Sequence, residues 1–133
     1  MRPEIVILEL GTNDLGRSCR PEVVGSAIDD LVSFLKVRFG VRVVGVCLVL
    51  PRRVRGTELP DAAFNTSAAV LNQYLEVVLG DSPSVFIWRH RELHSLSRDI
   101  LCYDGVHLTS HGQYLHYRSY RGAMLKALTI LGK

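Results

Sequence analysis

Three apolar runs, at residues 5–10 (IVILEL), 41–50 (VRVVGVCLVL) and 85–88 (VFIW), are separated by stretches in which apolar residues recur at helical spacing. The second run is rich in β-branched residues and nearly continuous, the pattern of a parallel strand buried on both faces. After the first run, Val24, Ala27, Ile28, Leu31 and Leu35 share one helical face, and Asp29, Asp30 and Lys36 fall on the other. Pro21 and Glu22 suit the first turn of that helix, and Gly40 suits its stop. After the second run, Phe64, Ala68, Leu71, Leu75 and Val78 form a stripe, with Asp61 placed to cap the start and Gly80 to end it. A last helix is expected over about residues 111–131, carrying Leu115, Met124, Leu125 and Leu128. The order strand, helix, strand, helix, strand, loop, helix predicts an α/β fold. Its βαβ crossovers give a parallel sheet with helices on both faces.

Composition narrows this only slightly. A chain of 133 residues, 47% hydrophobic and 22% charged, is one globular domain spanning 1–133. A net charge of +3 is too mild to argue for nucleic acid by itself. Cys19, Cys47 and Cys102 are odd in number and irregularly spaced, so neither a disulfide framework nor a Cys-x-x-Cys metal motif follows. Cys47 lies in an apolar run and reads as core. The opening MRPEIVILEL is neither a signal peptide nor a membrane span, which makes the expected location intracellular.

The candidate chemistry falls where strands end. Gly11-Thr12-Asn13-Asp14 directly follows the first strand, as a tight turn. The polar loop PRRVRGTELPD (51–61) follows the second, and ligands in such sheets sit at the carboxyl ends of strands. Near the C-terminus, DGVHLTSHG (104–112) sets Asp104 three residues before His107. Asp104 can there orient the imidazole, fix its tautomer and stabilise the imidazolium. The histidine pairs His90/His94 and His107/His111 are spaced i,i+4 but lack the acid of a zinc-helix motif, and they read as solvated surface. Tyr117, Arg118, Tyr120 and Arg121 interleave rings and guanidinium groups. That run suits either an amphipathic helix with arginines over its surface or stacking on nucleic acid.

GTND and DGVH, in this order and on this scaffold, resemble the third and fifth blocks of the SGNH hydrolases, the GDSL-like esterase and lipase family. Phe64-Asn65 opens a helix where many members have a similar pair. The resemblance implies a three-layer, SGNH/flavodoxin-like parallel sheet and serine acyl transfer on a small-molecule ester. It assigns Asn13 to the oxyanion hole, His107 as general base then acid, and Asp104 as its partner, with no metal or organic cofactor. The family's first two blocks, which bring the serine and a second oxyanion donor, precede G-x-N-D; here they have no room, so the domain is expected to lack its first two strands. Gly80-Asp81-Ser82 does not replace them. It follows a helix and precedes a strand, at the amino edge of the sheet, whereas Asn13 and His107 belong to the carboxyl edge. Two readings follow: a fragment of an active esterase, or a degenerate domain kept as a binding module. SGNH domains with such a C-terminal helix are also similar to ones beside retroelement coding regions, which keeps a nucleic-acid partner in view. The unpartnered edge of the first strand is expected to drive self-association.

Overall fold

The computed structural model describes residues 2–132. Its elements run β1 (Ile5–Leu8), α1 (Thr12–Gly16), α2 (Pro21–Phe39), β2 (Val43–Cys47), α3 (Ala62–Leu79), β3 (Val85–Trp88), a single 3-10 turn (Arg91–Leu93) and α4 (Ser110–Leu131). β2 is buried along its whole length because it pairs in parallel with β1 on one side and β3 on the other. The sheet order is β1-β2-β3, with Ile5 opposite Val43 and Val44 opposite Val85.

Strand alternation divides the core in two. Val44, Val46 and Val85 face α2 and α3, where Ile28, Val32, Leu71 and Leu75 close the larger cluster. Val43 and Phe86 face α4, packing on Ala123 and Ala127. The result is the expected three-layer α/β arrangement, with two helices on one face and one on the other.

The punctuation residues act as their chemistry dictates. Pro21 opens α2, and Gly40 closes it in the left-handed conformation (φ 65°) that glycine adopts without penalty. The Asp61 side chain accepts a hydrogen bond from the Phe64 N–H at 3.1 Å, capping α3. Gly80 ends α3, but in a right-handed conformation.

Several expectations need correction. β1 stops at Leu8, and Glu9 and Leu10 lie beyond it. GTND is not a bare turn: Thr12–Gly16 is a short helix entered from Gly11, whose φ of 106° only glycine tolerates. Leu79 rather than Val78 faces the core at the end of α3, and Val32 rather than Ala27 faces it on α2. Lys36, expected on the solvent side, is half-buried and donates to Ser84 Oγ. In α4, Met124, Leu125 and Leu128 are exposed, and the buried positions are Gly112, Ala123 and Ala127. The physical reason is distance: a Cβ at Gly122 would lie 2.9 Å from Trp88, so the helix approaches the sheet through its smallest residues. No helix among the described residues is long and apolar enough to cross a membrane.

Candidate functional site

The segments that follow β1 and β2, with the loop that precedes α4, surround a cleft of about 220 Å³, lined by Glu9, Thr12, Asn13, Arg52, Val106 and His107 among others. Two arginines and two asparagines fix the loop after β2, whose first residues line the cleft. Asn72 clamps the backbone of Val49, accepting from its N–H at 2.8 Å and donating to its carbonyl at 3.1 Å. Asn65 does the same for Arg52, at 2.7 and 2.9 Å. The Arg52 guanidinium lies 4.0 Å over the Phe64 ring and donates to Thr12 Oγ1 at 2.9 Å and to the Thr12 carbonyl at 3.1 Å, tying α1 to the loop after β2. Arg53 is buried. Its guanidinium donates to the carbonyls of Thr57, Leu101 and Cys102 at 2.9–3.1 Å, fastening that loop to the one that carries Asp104.

Asp104 organises its own turn. Oδ1 accepts from the N–H groups of Val106 and His107, both at 2.9 Å, and Oδ2 lies 2.5 Å from His107 Nδ1. The hydrogen bond from His107, then those from the two backbone amides, hold the Asp104 carboxyl far below the usual carboxylate range. A carboxylate accepts only, so Nδ1 carries the proton and Nε2 is left as a base. The His107 side chain is 81% exposed, open to an incoming reactant. Asn13 is exposed in the first turn of α1 and lines the same cleft as His107. Asn13, Asp104 and His107 are thus gathered at one edge, and Ser82, in the turn between α3 and β3, is at the opposite one. Among the described residues, no serine or cysteine lines the cleft.

Sequence reasoning missed a second group of polar residues beside the first. His90, read as solvated surface, is 0% exposed: the chain turns inward after β3 and seats the ring against α4. His94 is half-buried, whereas His107 and His111 are exposed as expected. His90 Nε2 lies 3.1 Å from Glu9 Oε1, and His116 Nε2 lies 2.8 Å from Glu9 Oε2. Tyr120 donates to Glu9 Oε2, so this ring faces inward and leaves the expected surface ladder of Tyr117, Arg118 and Arg121 incomplete. Burial alone would raise the Glu9 pKa; the close approach of His90, the hydrogen bond from Tyr120 and the charges of both histidines outweigh it and bring it down to about 2. Tyr120 and Cys47 shift the other way. Burial first, then the Glu9 charge, pushes the Cys47 thiol up to about 12; burial, then the hydrogen bond to Glu9 and the Glu9 charge, raises the Tyr120 phenol. The available signals were an acid inside the first apolar run and a histidine two residues past the third.

No family model matches the chain, and no curated protein matches it. Among solved structures it is similar to the crystal structure of a carbohydrate esterase family 3 from Talaromyces cellulolyticus, with a TM-score of 0.72 and 20% identity over 98% of this chain and 60% of that one. The fold is therefore of the SGNH/flavodoxin-like α/β type with fewer strands, and the chain spans 60% of the length of that structure.

Proposed function

We propose that this chain carries the general-base and oxyanion half of an SGNH-type ester-hydrolase site, and that by itself it has no esterase activity worth measuring. The observation that carries this reading is the oriented Asp104–His107 pair facing the cleft that Asn13 also lines. The structural likeness to a carbohydrate esterase supports an esterase-like lineage, and makes acyl groups on a carbohydrate the first substrates to test.

In this mechanism a serine hydroxyl from outside the cleft residues loses its proton to His107 Nε2 as its oxygen attacks the ester carbonyl. The carbonyl oxygen gains the charge, and the Asn13 amide donates to it; one such donor is worth about 3–4 kcal/mol in the transition state. Asp104 stabilises the imidazolium. Collapse of the intermediate breaks the bond to the alcohol, which leaves with the proton from Nε2. Water, deprotonated by the same nitrogen, then releases the acid from the acyl-enzyme and returns the proton to the serine.

Hydrolysis of p-nitrophenyl acetate tests this. The 133-residue chain should give no turnover above background, and Ser82→Ala should change nothing. Supplying a Gly-Asp-Ser-bearing strand, fused or in trans, should restore turnover. That turnover should fall by about 10²–10³-fold in Asn13→Ala and be lost in His107→Ala. Turnover by the chain alone that disappears in Ser82→Ala would sink the assignment.

A further inference from the structure

We propose that Glu9, His90 and His116 form a binding site for one divalent transition-metal ion, zinc foremost. This departs from the sequence reading, which expected no metal. The ligands come from three separate segments: the residue just after β1, the loop after β3, and the second turn of α4. One carboxylate oxygen and two imidazole nitrogens, one from each residue, lie within 4.8 Å of one another. Small side-chain rotations bring such a set to the 2.0–2.2 Å that zinc takes with nitrogen and oxygen. Two imidazoles and one carboxylate suit zinc and its neighbours, whereas calcium and magnesium select all-oxygen sets.

His90 carries the argument. Its ring is fully buried, yet Nε2, the atom that faces Glu9, makes no aligned hydrogen bond. Its other nitrogen, Nδ1, is 2.6 Å from Ser119 Oγ, which accepts a hydrogen bond from Trp88 Nε1 at 3.0 Å. With one lone pair of Ser119 taken by Trp88, the other can accept the Nδ1 proton. Nε2 is then a bare lone pair aimed into the cluster. Metal-bound histidines are held in this way, by a partner on the far nitrogen that fixes the tautomer and the ring. In the ion's absence a proton can sit between Nε2 and the carboxylate oxygen 3.1 Å away, and a divalent ion that displaces it gains both atoms as ligands. Tyr120 steadies the carboxylate through the same Oε2 that His116 approaches. The side chains of Glu9 and His116 are each 26% exposed, so an ion has a way in.

The test is zinc titration of chelator-stripped protein by calorimetry, with cobalt(II) as a spectroscopic probe of the same site. One ion per chain should bind, and cobalt should give the intense visible bands of a low-coordinate nitrogen–oxygen site. His116→Ala should weaken binding on the order of 100-fold or more, and Ser119→Ala by about 10–100-fold. His111→Ala, on the exposed first turn of α4, should leave binding unchanged. Far-UV circular dichroism establishes that each variant is folded, and His116→Gln, closer in size, replaces His116→Ala if that variant is not. Wild-type protein that binds no zinc stoichiometrically would overturn the proposal, because the three residues would then be only a hydrogen-bonded network. So would binding that survives in His116→Ala or is lost instead in His107→Ala.

Discussion

His94 shows how one side chain sets a pH dependence. Burial first, then the charges of Arg89 and His90, push its pKa down to about 4, and its Nε2 has no hydrogen-bond partner. In the unfolded chain an imidazole titrates near pH 6.5. Between about pH 6.5 and 4 the unfolded state therefore binds more protons than the folded one. Stability must rise with pH across that window and fall as acid is added. Urea unfolding of the wild type at pH 7 and pH 4.5 should show that loss, and His94→Leu should flatten it. An unchanged pH slope in the variant would assign the loss to other groups. At the same scale, the contact between Asp104 and His107 was legible because its geometry is local. Asp104 and His107 are three positions apart, and one turn of backbone lets a single carboxylate hold the amides of Val106 and His107 and the ring. Glu9, His90 and His116 were illegible because no spacing relates them. Only the closing of the sheet and the seating of α4 bring them together.

At the scale of the element, ends were easier to read than faces. Pro21, Gly40 and Asp61 act on their immediate neighbours, so their roles follow from residue type. The buried face of α4 follows from its partner instead. Trp88 and Phe86 project from β3 toward the helix, and only small residues let the axis come close enough to cover them. Large apolar residues at Leu125 and Leu128 thus mark the outer side, against the usual rule of patterning. A paired substitution separates the two descriptions. Leu125→Gln should change stability by no more than about 0.5 kcal/mol. Ala127→Leu, which adds volume where no surface is exposed, should cost about 1–3 kcal/mol. Chemical denaturation of both variants measures the contrast, and a large loss at Leu125 would restore the stripe read from the sequence.

At the scale of the whole molecule, β1 pairs only with β2 among the described residues, and its side chains are half-buried. Apolar side chains nearby on α2, Val23 and Phe34, are about half exposed. An apolar edge with free backbone groups is a template for another strand. Sedimentation of the 133-residue chain at tens of micromolar should find dimers or larger species, and a clean monomer would mean that this edge is blunted without a partner.

Among the described residues the same sheet contains no hairpin: each strand pairs with one reached only across intervening helix. Chain closure must therefore be completed before the first ladder of hydrogen bonds offsets any of its entropy. Only β2 has partners on both sides, so neither edge strand has a place to dock until β2 is present. Its pairing with the two edge strands is therefore the contact expected to set the tempo of folding.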